Sequence, residues 1–131
     1  MQFPLITSSV AAFFAVMMVL LSVQVSMRRA MLNVTHGDAN DETLRRRIRA
    51  HGNFVEYAPL SVVVLGLLEG AATSQTVLLA LSAGFVMARV LHALGMLYVA
   101  GAAPRAAGML LQHAAFLGAA AFLIGAVWRN V

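Results

Sequence analysis

Four long apolar stretches dominate this chain and leave little else for it to fold into. They run Phe3–Met27, Phe54–Leu68, Thr76–Ala100 and Ala106–Trp128, within 131 residues. A helix needs about 20 apolar residues to cross a bilayer, so four crossings use nearly the whole length. Composition agrees, at 61% hydrophobic and 11% charged, where soluble domains carry about 45–50% and about 25%. The expectation is one all-α integral membrane domain over residues 1–131, a transmembrane four-helix bundle. Its spans fall at about 3–27, 45–69, 76–100 and 106–128. The first run lacks a basic flank and far exceeds the roughly 7–15 residues of a signal-peptide core, so it reads as a retained helix.

The second stretch is short for a span by itself. Asn40-Asp41-Glu42 makes a helix start with acids in its first turn, and neither Gly nor Pro follows from Thr43 until Gly52. One helix from about Asp41 to about Glu69 is therefore expected. Pro59 should bend it by removing the bond to the Val55 carbonyl. Small residues recur at helical spacing in Gly66/Gly70, Gly84/Ala88, Ala114/Gly118 and Ala121/Gly125, a pattern that lets membrane helices approach closely.

The net charge of +4 comes from arginine alone. Six arginines crowd between Arg28 and Arg49 beside an apolar span, which is the look of a cytoplasmic flank and not of a nucleic-acid surface. Arg105 joins that side, Arg129 lies on the other, and Arg89 falls within the third span. The count of seven against one puts both termini outside. Without cysteine the chain has no thiolate nucleophile, so thiol chemistry needs a thiol brought by a ligand. The scattered histidines lack the carboxylate spacing of a metal site.

Ionisable groups inside spans are costly and call for a reason. Arg89 and His92 stand one turn apart on one face. Arg49, Asn53 and Glu56 follow i, i+4, i+7 and form one polar stripe, which Arg46 extends. Arg105 follows Pro104 and sits in the first turn of the fourth helix. A cytoplasmic-side pocket lined by Arg46, Arg49, Asn53, Glu56, Arg89, His92 and Arg105 is the natural inference. Its positive excess suits carboxylates or phosphates, which guanidinium forks match with paired hydrogen bonds. The lone carboxylate suits a ligand ammonium. A plainer reading stands beside this one: Glu56 simply neutralises Arg89 or Arg49 in an intramembrane ion pair.

The segment Arg49-Ala50-His51-Gly52-Asn53-Phe54-Val55-Glu56-Tyr57-Ala58-Pro59 resembles the signature of the MAPEG family, membrane-associated proteins in eicosanoid and glutathione metabolism. Four spans, a long polar first loop and outside termini resemble that family over the whole chain. Arg89-Val90-Leu91-His92 is similar to an Arg-x-x-His of its prostaglandin E synthase branch. Gly52 and Met96 stand where that branch has an arginine and a tyrosine, which points away from eicosanoid chemistry. The resemblance implies a homotrimer with glutathione as cosubstrate between subunits. Arg46, Arg49, Asn53, Glu56, Arg89 and His92 would bind it, and Arg105 would act catalytically by stabilising its thiolate. It also implies a small bacterial inner-membrane protein acting on lipophilic electrophiles that arrive through membrane lipid. A non-catalytic glutathione- or lipid-binding scaffold, and a small transporter or channel subunit, are the competing readings.

The arginine count yields the first test. Single cysteines introduced as Asn40→Cys and Ser74→Cys should label from opposite sides of the membrane with an impermeant maleimide. Labelling from one side overturns the topology.

Overall fold

The computed structural model describes residues 3–129. Four helices follow one another, α1 (Leu5–Leu32), α2 (Glu42–Gly70), α3 (Gln75–Leu97) and α4 (Ala103–Trp128). Each is long and apolar enough to cross a membrane. The second is one continuous helix through Pro59, from the start at Asp41 that the sequence indicates. The first runs past its apolar stretch to Leu32, so Arg28 and Arg29 stand on its last turns, and Asn33 closes it in the left-handed conformation with φ 52°. α2 and α3 form the middle of the bundle, with α1 packed mainly on α2 and α4 mainly on α3.

Polar groups tie the helix ends together. Asp41 caps α2 by accepting from the Leu44 amide at 2.6 Å. The same carboxylate takes two hydrogen bonds from Arg28, at 3.1 and 2.7 Å, clamping the α1–α2 loop. These bonds, that of Arg28 first and that of Leu44 second, hold the Asp41 carboxyl at about 2, below the ordinary carboxylate range. At the opposite end of the bundle Glu69 accepts from the amides of Ile6 and Thr7, at 3.0 and 2.8 Å. An anion at the first turn of α1 satisfies amides that have no partner within their own helix and complements the helix dipole.

The core is aromatic and small. Phe14 meets Phe54 edge-on at 5.4 Å between α1 and α2, and Phe85 meets Phe116 at 5.1 Å between α3 and α4. Among the glycines the tightest backbone approach is at Gly108 of α4. A Cβ there would lie 2.8 Å from both the Ala88 carbonyl oxygen and the His92 nitrogen of α3. Gly95 is almost as tight against the start of α4, where a Cβ would lie 2.9 Å from Arg105 Cγ and 3.0 Å from its nitrogen. Neither belongs to the spaced small-residue pairs of the sequence. Gly84 of those pairs has ordinary clearance, 3.5 Å to the Ala115 Cβ.

Because Gly108 faces backbone and not a flexible side chain, Gly108→Ala must push α3 and α4 apart. It should cost about 1–3 kcal/mol, the usual range for overpacking, as a lowered thermal midpoint in detergent. An unchanged midpoint would contradict this packing.

Candidate functional site

The polar stripe of α2 turns one edge toward α3 and there opens a cavity of about 250 Å³. Ile48, Arg49, Gly52, Asn53 and Glu56 line it from α2, and His92 and Met96 from α3. Four of the seven residues singled out in the sequence thus line one cavity: Arg49, Asn53, Glu56 and His92. Arg49 and Glu56 are exposed at its rim, and neither has a hydrogen bond or ion pair among the described residues. The ion pairs among those residues join Arg28 with Asp41 and Arg45 with Asp38 and Glu42. Neutralisation of Arg89 or Arg49 by Glu56 is therefore not how the chain arranges its charges.

Arg89 lies behind the cavity wall, 1% exposed. Its Nη1 donates to Asn53 Oδ1 and, at 3.4 Å, to the Asn53 carbonyl. Its Nε donates to Gln112 Oε1 of α4 at 3.0 Å, and Nη2 points to Met109 Sδ at 3.8 Å. The guanidinium carbon stands 4.9 Å from the centroid of the Tyr57 ring, a cation–π contact. Gln112 Nε2 in turn donates to Ser61 Oγ at 3.0 Å, and Ser61 donates to the Tyr57 carbonyl at 2.9 Å. Two turns of α2, one of α3 and one of α4 meet in this buried network.

The remaining two residues stand apart from the cavity. Arg105 does not line it; its Nη1 reaches Met96 Sδ at 3.6 Å, so a lining residue separates it from the cavity. Arg46 turns to the end of α3, where Nε donates to the Met96 carbonyl at 2.6 Å and Nη2 to that of Val99. There it satisfies carbonyls left open by the helix terminus. Gln112, Ser61 and Met109 were not legible as site residues. The available signal was an amide at Gln112 within an otherwise apolar span, a residue that needs a buried partner.

Chemically, the cavity presents a guanidinium, a carboxylate, an amide and an imidazole. The Asn53 amide is oriented by Arg89, which donates to its oxygen, and by Met109, whose Sδ takes one N–H at 3.5 Å and leaves the second N–H as donor. A zwitterion with a carboxylate and an ammonium suits this set.

Four long apolar helices with a polar cavity between the second and third define a multi-pass integral membrane bundle. The model of the MAPEG family matches residues 7–125, and the chain belongs to this family, as the motif from Arg49 to Pro59 indicates. No curated protein and no solved structure matches it.

Burial sorts these residues by what their loss should do to folding. Glu56→Gln, at an exposed and unpaired carboxylate, should leave stability within about 0.5 kcal/mol. Gln112→Leu strands the buried charged donor Arg89 Nε, and should cost at least about 2 kcal/mol. Thermal unfolding of both variants in detergent checks the contrast; equal losses would refute the arrangement.

Proposed function

We propose that this protein binds glutathione in the α2–α3 cavity and uses its thiol to conjugate or reduce lipophilic electrophiles that reach it from the bilayer. The carrying observation is the convergence of Arg49, Asn53 and Glu56 with His92 on one cavity, in a family associated with glutathione. Glutathione has two carboxylates and one ammonium, which fit Arg49 and Glu56 by charge. Arg89 acts from behind Asn53, and Arg46 supports the α3 end of the cavity. The volume is also informative. At about 250 Å³ the cavity falls below the roughly 300–1,000 Å³ usual for small-molecule sites. A tripeptide would overfill it, which supports a site completed by a neighbouring subunit in a homotrimer.

When bound, glutathione supplies the nucleophilic sulfur. The chain's own contribution is electrostatic. A thiol with a pKa near 8.5 is mostly protonated at neutral pH, and a nearby guanidinium favours its anion. Arg105 takes that role by a small movement past Met96, whose thioether is a weak acceptor. The apolar surroundings of α1 and α4 give lipophilic substrates access from membrane lipid. A bacterial inner membrane, with the Arg28–Arg49 segment on the cytoplasmic side, completes the reading.

One observation favours a second reading, a glutathione- or lipid-binding scaffold without turnover. Arg105 contacts Met96 and not the cavity. The two readings separate on kinetics with purified protein, glutathione and a generic chloronitrobenzene electrophile. Arg49→Ala should weaken glutathione binding about tenfold or more, in line with a charge-assisted contact worth about 1.5–3 kcal/mol. Arg105→Ala should keep binding and lower kcat by about 10²-fold, the scale of one lost electrostatic stabiliser. Binding without a thiolate absorbance and without conjugation in the parent protein would leave the scaffold reading in its place.

A further inference from the structure

Arg89 is buried with an unusual set of partners. Asn53, Gln112, Met109 and Tyr57 are all neutral, and no carboxylate comes within ion-pair distance among the described residues. Buried charges in membrane helices ordinarily pair with an opposite charge. Here the cation is satisfied as a hydrogen-bond donor yet keeps its full charge. Gln112, itself fully buried, is the decisive partner. It accepts from Arg89 Nε while its own amide nitrogen is held by Ser61, so its orientation is set from the far side. A glutamate would fill almost the same shape and neutralise the guanidinium.

The other ionisable groups around the cavity are Arg49, Glu56 and His92 on its wall, and Arg105 and Arg46 at Met96. Arg49 and Glu56 oppose one another in sign. The potential inside the cavity is therefore set by Arg89 behind Asn53 and by Arg105 and Arg46 at the Met96 end. We propose that Gln112 is a positioning residue that, by holding Arg89 with a neutral amide, maintains an uncompensated positive charge behind Asn53 that favours an anionic sulfur in the cavity. This deepens the reading of the cavity as a thiol site and rests on it.

The size of the effect follows from Coulomb's law. A unit charge about 10 Å away at an effective dielectric near 20 changes an ionisation equilibrium by on the order of tenfold. The chain has no cysteine, and Gly52 lines the cavity with nothing within 4 Å of a Cβ placed there. Gly52→Cys therefore installs a thiol probe that needs no glutathione. Its alkylation by neutral iodoacetamide at pH 7, divided by the rate at a pH where the thiol is fully ionised, counts thiolate and cancels accessibility.

In the full-length protein in detergent, adding Gln112→Glu to Gly52→Cys should lower this ratio about tenfold, with the thermal midpoint retained. Adding Arg89→Lys, which keeps the charge, should leave it within about threefold. If Gln112→Glu does not fold, Arg89→Gln removes the same charge and should give the same fall. An unchanged ratio in the folded charge-removing variant overturns the proposal, as does an equal fall in Arg89→Lys. Glutathione binding to the cysteine-free parent is measured separately. Its absence would refute the glutathione reading while leaving the thiol-probe result to decide the role of Gln112.

Discussion

The buried guanidinium of Arg89 is the constraint around which α2, α3 and α4 are arranged. An arginine in the middle of a span costs about 2.5–3.5 kcal/mol to insert even by the mildest scales, and its five N–H donors cannot go to water there. The chain meets this by placing donors' partners on both flanks of α3. Asn53 and Tyr57 come from α2, and Gln112 and Met109 from α4. Such a network fixes helix rotation as well as distance, because rotating any one helix leaves a buried donor unpaired. A fully satisfied polar cluster in a low-dielectric interior specifies one arrangement in a way that interchangeable apolar contacts do not. Gly108 makes the arrangement possible by letting α4 come close enough for Gln112 to reach α3.

α1 is held by a different device. Its ties to α2 lie near the helix ends, through Glu69 at its first amides, Arg47 to the Gln24 carbonyl at 2.9 Å, and the Arg28–Asp41 clamp. Between them the contact is apolar, with Phe14 against Phe54. Beyond Glu42 and Arg45, which pair with each other at its start, Arg45 also with Asp38, the charged residues of α2 are divided among three tasks. Glu69 and Arg46 cap neighbouring helices at opposite ends, each with the sign that its target's dipole favours. Arg47 ties α2 to α1, and Arg49 and Glu56 are left for the cavity.

That division explains what could be read from the sequence and what could not. Hydropathy located all four helices because a membrane span is specified by length and apolarity, which are local properties. The stripe Arg49–Asn53–Glu56 was legible because helical periodicity places i, i+4 and i+7 on one face whatever lies opposite. Arg46 extends the same stripe by periodicity, yet its side chain reaches the end of α3, because open carbonyls happen to lie there. No pattern within α2 carries that information. The partner of Arg89 was likewise hidden. The charges visible in the sequence suggest Glu56, whereas the rotation of α4 delivers the neutral Gln112. That rotation depends on Gly108 and Gly95, which small-residue spacing does not distinguish in a chain rich in alanine and glycine.

The exposed charges at the cavity rim place a demand on what surrounds the chain. Glu56 is the middle residue of α2 (Glu42–Gly70), and it lies at the start of the apolar half of that helix. Nearby outward-facing residues such as Val55, Leu60 and Val63 are exposed and apolar, as a lipid-facing surface requires. A carboxylate and a guanidinium on the same helix, exposed and without partners among the described residues, do not belong against hydrocarbon. Water at the nearer membrane face reaches the first turns of α2 more readily than its middle, so Arg49 is easier to accommodate than Glu56. The demand therefore falls most heavily on Glu56, and in the proposed function a polar ligand or the face of another subunit would meet it. Arg89 needs neither, since its neutral partners are all internal. The site thus combines a cation behind the wall whose partners are internal with charges on the wall that have no partner among the described residues.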